Sequence, residues 1–295
     1  MAKNFFRRKA IASRFAFSIP PALIDVWLCT SKPFNHSTLR SWRFISPFGA
    51  SMNTSAPESS WPRTSKPCDA CWRAGSQSSP RCSPEWLERL EPQLRARPED
   101  IDVYVAEKPL LETITGYQMH QGVLMVAHIP PQPEFETLLE TSPRPLLLAA
   151  VEGIASAENL GAVIRNCAAF GVHFLLVGET CGSPFQRRSV AGSMGTIFEQ
   201  PVLHVDSLLE ILTALRARGV RCLAAHPRPG AKKLSAVDLR GDCCLVFGAE
   251  GPGLTAEVLA ACDDTVEIPM PSHMNSLNVA SATAVFLYEA TRQRG

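Results

Sequence analysis

The sequence predicts an α/β protein, a mostly parallel sheet over residues 144–295 preceded by a smaller α/β unit. Three observations carry this. Short, uninterrupted apolar runs recur, as expected of strands covered on both faces. Segments with apolar residues at helical spacing separate them. The two alternate over about 150 residues, the pattern of parallel strands joined by crossover helices. The 295 residues are 45% hydrophobic and 19% charged, too apolar for a disordered chain and sufficient for one large core or two modest ones. Only 7% aromatics and 24 prolines argue against an all-β sandwich throughout.

From the N-terminus, residues 1–51 are rich in Arg and Ser, with eight basic residues and a single acid, Asp25. Two readings fit: an organellar transit peptide, or an upstream extension of a chain whose start is Met52, since MNTSAPESS opens like an ordinary polar N-terminus. On either reading the segment is a disordered leader outside the fold. No stretch approaches the roughly 20 uncharged apolar residues of a membrane helix. Residues 52–82, rich in Ser, Pro, Arg and Cys, read as a linker. Within it Cys68-x-x-Cys71, with Cys82, offers three thiolates for zinc, but a fourth ligand at regular spacing is missing. Cys167, Cys222, Cys243 and Cys244 lie in apolar runs such as CCLVF, where a thiol acts as a small hydrophobe, and the ten lack the regular spacing of a disulfide framework, which indicates a reducing, cytoplasmic-type compartment.

The small unit, residues 83–133, opens with a helix over SPEWLERLEPQLRA, Ser83 being a candidate N-cap. A strand IDVYVAE, a helix PLLETITG and a strand GVLMVAHI follow, up to the Pro-rich hinge IPPQPEF. The larger unit then reads PLLLAAVE (strand), LGAVIRNCAAFG (helix), VHFLLVG (strand), QRRSVAGSMG (short helix) and PVLHV (strand). SLLEILTALRARG is a helix capped by Ser207, and VRCLAAH and CCLVFGA are strands. TAEVLAAC (helix), TVEIPM (strand) and a long helix from about Asn278 to Gln293 complete it.

Ligands of such sheets bind beyond the carboxyl ends of the strands. Three loops there have unusual composition: SAENLGAVIR (156–165), GAEGPGL (248–254) and PMPSHMNSLN (269–278). The glycines of the second allow positive φ and close approach to a ligand, or simply a tight strand-to-helix turn. It has neither the Lys-Ser/Thr pair of a phosphate loop nor dinucleotide-fingerprint spacing, and the absence of G-x-G-x-x-G with a downstream ribose-binding acid speaks against an ordinary nucleotide-dependent oxidoreductase. Glu250 either caps the next helix or accepts hydrogen bonds from a ligand. Asn275, Ser276 and Asn278 exceed what one helix cap needs. Arg165 either snorkels to solvent or reaches an anion.

Together the three loops resemble the motifs of the SpoU/TrmH family of RNA ribose methyltransferases. Asn159, Gly161, Ala162, Arg165, Ala169, Phe170 and Gly171 match the first motif, LVFGAEGPGL the second and IPMPSHMNSLNVASATAVFLYE the third. Ser272 and Ala280 depart from the third motif's usual Gly and Ser. The resemblance implies a C-terminal trefoil knot, a homodimer, and S-adenosylmethionine bound bent within the knot. It places Gly248, Gly251, Ile268 and Leu277 at the cofactor, and Asn159, Arg165, Glu250, Ser276 and Asn278 at catalytic and substrate positions. It also implies an RNA partner, tRNA or rRNA, rather than DNA or a membrane. LLETITGYQMHQGVLMVA resembles the end of the family's L7Ae-like accessory domain, with His120, Gln121 and Gly122 matching. A knotted RNA binder without catalysis is the alternative; the intact Asn159, Arg165, Glu250 and Asn278 speak against it.

The formal net charge of +1 hides two parts. Without the leader, residues 52–295 hold 21 basic and 27 acidic side chains, a net charge of −6. An RNA enzyme of this charge must concentrate its cations. The candidates are Arg187 and Arg188, and the run Arg216, Arg218, Arg221, Arg228, Lys232 and Lys233, each otherwise a solvated surface.

Overall fold

A computed structural model describes residues 7–9, 78–96, 102–115, 118, 122–127, 129–271 and 276–295. The chain divides into two compact units, Met1–Ile129 and Pro130–Gly295.

The first unit holds strands β1 (Arg7–Lys9) and β2 (Ser78–Cys82), helix α1 (Pro84–Ala96), β3 (Asp102–Val105), α2 (Lys108–Thr115) and β4 (Val123–Ala127). The sheet order is β1-β3-β2-β4, with β2 parallel to β3 and antiparallel to β4. Leu87, Leu90 and Leu94 of α1 are buried, as their spacing predicts. Ser83 lies at the helix start, but its hydroxyl donates to Glu85 Oε2 (3.2 Å). β2 occupies the last five residues of the predicted linker: SSPRC lacks the alternation that marks a strand, and Pro80 argues against one. Arg7–Lys9, inside the predicted leader, pair in parallel with β3. Gly122 of the His-Gln-Gly match accepts from Ser83 N–H at 2.7 Å, while His120 and Gln121 lie outside the described residues. So do Cys68 and Cys71, while Cys82 is buried and its thiol is pushed up to about 12 by desolvation.

The second unit begins with α3 (Phe135–Thr141), β5 (Leu147–Val151), α4 (Ala157–Ala169), β6 (Leu175–Val177), α5 (Arg187–Ser193) and β7 (Val202–His204). It continues with α6 (Leu208–Ala217), β8 (Arg221–Ala225), β9 (Lys232–Lys233), β10 (Cys243–Phe247), α7 (Ala256–Ala261), β11 (Asp264–Glu267) and α8 (Val279–Arg294). The seven strands form one parallel sheet in the order β7-β6-β5-β10-β8-β11-β9. The fold class read from the sequence is therefore observed. Two elements are additional: α3, where only a hinge was read, and β9, an exposed two-residue edge too short to leave a pattern.

The uninterrupted apolar runs are explained by β5 and β10, every residue of which is buried. Leu148, Ala150, Leu176, Leu203, Leu212, Cys222 and Val246 belong to one core cluster. Each large side chain removed from water there contributes about 1.5–3 kcal/mol. On α8, Phe286 meets Phe247 edge to face with centroids 5.5 Å apart, which holds that helix on β10. Because every pairing is parallel, the residues following β5, β8, β10 and β11 emerge at one edge. These are Glu152, His226, Gly248 and Ile268.

Candidate active site

Three local structures bring the first, second and third loops together. Ser156 caps α4 by accepting Asn159 N–H at 3.2 Å, which places Asn159 in the first turn. The second loop is a backbone fold-back in which Gly253 N–H donates to the Ala249 carbonyl at 3.0 Å. A Cβ on Gly248 would stand 2.3 Å from the Gly253 carbonyl carbon, so only glycine permits this turn. Gly251 has φ +92 and faces open space. In the third loop Asn278 caps α8, its Oδ1 accepting from Ala280 N–H (2.9 Å) and Ser281 N–H (3.4 Å).

That cap fixes the rest. With Oδ1 committed to the helix, Asn278 Nδ2 must face outward, and it donates to Glu250 Oε1 at 2.6 Å and to Asn159 Oδ1 at 3.0 Å. Asn159 Oδ1 is thereby an acceptor, and its Nδ2 donates to the same Glu250 Oε1 at 3.0 Å. Val279 N–H adds a longer contact to that oxygen at 3.4 Å. The carboxylate also sits at the N-terminus of α8, where the helix dipole favours negative charge. Glu250 does not cap the helix that follows it, whose cap is Thr255; its carboxylate instead meets the first turn of α8. It also ties together loops whose residues lie 91 and 28 positions away.

Arg165 lies on α4 and is exposed, with no hydrogen-bond or ion-pair partner among the described residues. A guanidinium so placed is available to an anion. Asn166, its neighbour, donates to the Ala280 carbonyl at 2.7 Å and so holds α4 against the first turn of α8. Ser276 is exposed and joins no hydrogen bond with another described residue. Ser272 and Asn275 lie outside the described residues.

The proposed cofactor positions fit an organic ligand read by main-chain groups. The backbone groups of Gly248, Ile268 and Leu277 form no hydrogen bond with another described residue, and the Leu277 side chain is exposed. Glycine at 248 leaves the neighbouring backbone approachable. Among the described residues, no cluster of His, Cys, Asp or Glu could hold a metal.

Most of the cation candidates are engaged by acids. Arg187 and Arg188 open α5, and Arg188 approaches Glu158 of α4 at 3.4 Å. Four members of the longer run are engaged by acids: Arg216 with Asp263 (2.8 Å), Arg218 with Glu136 (2.8 Å), and Arg221 (3.1 Å) and Lys232 with Asp264. That run is largely neutralised.

Sequence reasoning missed Glu152. It ends β5, is buried, and its carboxylate accepts Thr255 N–H (2.9 Å) and Thr255 O–H (2.8 Å). A carboxylate directly after an apolar strand was its one signal.

Comparison with known proteins identifies the family of the chain. The SpoU rRNA Methylase family model matches residues 146–288. A 23S rRNA (guanosine-2'-O-)-methyltransferase, RlmB, of Xanthomonas campestris is 35% identical over 70% of this chain and 84% of its own. An uncharacterized tRNA/rRNA methyltransferase of Mycobacterium bovis is also 35% identical, over 64% of this chain and 66% of its own length. The crystal structure of the SpoU methyltransferase AviRb from Streptomyces viridochromogenes, in complex with AdoMet, superposes with TM-score 0.67 at 25% identity, covering 78% of this chain and 88% of AviRb. Fold and relatives thus define a class, the S-adenosylmethionine-dependent RNA ribose 2′-O-methyltransferases. Within it, the chain belongs to the SpoU family.

Proposed function

We propose that this chain transfers a methyl group from S-adenosylmethionine to one ribose 2′-hydroxyl of ribosomal RNA. The observation that carries the reading is the closed Asn159–Glu250–Asn278 ring with Arg165, exposed and without a partner among the described residues, on the same helix as Asn159. When bound, the cofactor supplies a methyl group already activated as a sulfonium. What remains for the protein is to position the acceptor hydroxyl, stabilise the charge developing on its oxygen, and let one proton leave.

Arg165 is suited to the electrostatic part. Its guanidinium binds the phosphate beside the acceptor ribose and stabilises the developing alkoxide. It does so as a permanent cation, since a guanidinium with a pKa above about 12 is a poor base; the proton then passes to solvent. Asn159, Glu250 and Asn278 hold the three loops in register around the acceptor, and Ser276, whose side chain is uncommitted, contacts it. Gly248, Gly251, Ile268 and Leu277 contact the cofactor through backbone groups. Arg187 and Arg188 extend the positive surface along the RNA.

The family resemblance adds a trefoil knot and a homodimer. The insertion of β10 between β5 and β8 supports the knot, and the exposed Val285 and Tyr288, one turn apart on α8, support a second copy. Light scattering on the purified chain checks the dimer. The seven described cysteines are all free, which supports a reducing, cytoplasmic-type compartment. No helix among the described residues is long and apolar enough to cross a membrane.

Mapping 2′-O-methyl groups in ribosomal and transfer RNA, from cells with and without the protein, tests the reading. Loss of one ribosomal 2′-O-methyl group is expected. Unchanged ribosomal maps, or loss of a transfer-RNA site instead, overturns it.

A further inference from the structure

The three-loop ring accounts for Glu250 but leaves another carboxylate unexplained. Glu152 is only 8% exposed, and among the described residues the hydrogen bonds its carboxylate accepts come from one residue, Thr255. Both donors are neutral. Burying a charge costs far more than burying an amide, and two hydrogen bonds to neutral groups offset it incompletely. An apolar side chain would pack there at lower cost, so the carboxylate has work beyond filling space.

Its bonds indicate that work. Glu152 N–H donates to the carbonyl of Phe247, the residue immediately before the glycine loop, at 2.9 Å. Its side chain grips Thr255, the residue immediately after that loop. Thr255 in turn caps α7, its Oγ1 accepting Val258 N–H at 3.3 Å. One residue therefore holds both ends of the segment 248–254, within which Gly248 and Gly253 meet at a distance only glycine tolerates. Within residues 249–253 the one internal backbone bond is Gly253 N–H to the Ala249 carbonyl, and Glu250 tethers the middle of the loop to Asn159 and Asn278, so the position of its two ends is left to Glu152.

We infer that Glu152 and Thr255 form a positioning pair that sets the glycine loop in its cofactor-binding shape. The inference rests on the proposed cofactor contact at Gly248. Neither residue touches the reacting atoms; each acts through the backbone of 248–254. The pair should govern cofactor affinity and leave RNA affinity alone.

Calorimetric titration of the full chain with S-adenosylmethionine, together with steady-state kinetics, tests this. Glu152→Ala and Thr255→Val are each expected to raise the cofactor Kd and KM at least tenfold, with the RNA KM within twofold of the parent. Thr255→Ser, which keeps both hydrogen bonds, is expected to bind like the parent. If Glu152→Ala does not fold, Thr255→Val, which retains the N–H donor, decides the matter. A Thr255→Val protein with a lower melting temperature and a parental cofactor Kd overturns the inference, leaving the pair purely structural. Failure of the parent chain itself to bind the cofactor would instead refute the underlying placement at Gly248.

Discussion

Asn278→Asp perturbs the site at one atom. The helix cap survives, because a carboxylate oxygen still accepts from Ala280 N–H and Ser281 N–H. The change falls on Nδ2, which becomes an oxygen facing Glu250 Oε1 at 2.6 Å and Asn159 Oδ1 at 3.0 Å. One charge-assisted hydrogen bond, worth about 1.5–3 kcal/mol, and one neutral bond of about 1 kcal/mol are lost. Two carboxylates then confront each other. Unit charges 4 Å apart near a protein surface repel by about 4 kcal/mol at an effective dielectric of 20, before side-chain rotation relieves them. Since Asn278 is exposed, relaxation recovers most of the folding cost, and the melting temperature should change little. The catalytic geometry is not recovered: a net loss of about 2.7 kcal/mol is a hundredfold fall in rate. Single-turnover methyl transfer with tritiated cofactor at pH 8 should show that fall. Activity should partly return toward acid pH, where the two carboxylates share a proton that restores a donor. A variant with parental turnover at pH 8 refutes the ring as a catalytic scaffold. Equal, pH-independent losses for Asn278→Asp and Asn278→Ala would show that the cap alone matters.

Gly161→Ala should destabilise the protein although alanine is the better helix former by about 1 kcal/mol. A Cβ there would stand 2.2 Å from the Ser189 carbonyl oxygen and 2.9 Å from Ser193 N, both backbone atoms of α5, so overpacking of about 1–3 kcal/mol or more should win in urea denaturation. A stabilised variant contradicts the close approach of α4 and α5. The hydrogen bond from Arg292, then that from Gln293, lowers the Glu289 carboxyl from 4.5 to about 2. Its contribution to stability is therefore present above pH 4.5 and lost as pH falls through about 2. The Arg292 side chain is 56% exposed against 14% for Glu289, so solvent screens the pair from the arginine side and its contribution is small. Carboxyl NMR should give a midpoint near 2 that Arg292→Ala returns to the ordinary range; a parental midpoint near 4.5 contradicts the pairing. Burial pushes the Cys262 thiol up to about 12, so it should resist iodoacetamide at pH 8 in the native chain and react once unfolded. Labelling at a free-thiol rate in the native state contradicts its burial.

The strands of the larger unit were legible because burial on both faces demands unbroken apolar runs, as in CCLVF and LLAAV. The glycine loop and the polar cluster before α8 stood out for the same reason: apolar packing cannot use such residues. The ring itself was not legible, since Asn159 and Asn278 lie 119 residues apart and only the sheet order brings them together. Glu152 was hidden because one acid after an apolar strand looks like an ordinary strand end. The basic run misled for the converse reason. Arg218 finds Glu136 82 residues away and Arg216 finds Asp263 47 residues away, so a charge count along the chain could not show that they are paired. β2 escaped because SSPRC carries neither alternation nor apolar length.

The central claim is that Arg165 is the cation on which methyl transfer to RNA depends. The most direct measurement is transfer from tritiated S-adenosylmethionine to ribosomal RNA by Arg165→Ala, paired with calorimetric binding of the cofactor. Transfer should fall to background while the cofactor Kd stays within twofold of the parent. Parental turnover by the variant would contradict the account, and so would activity lost only because the cofactor no longer binds.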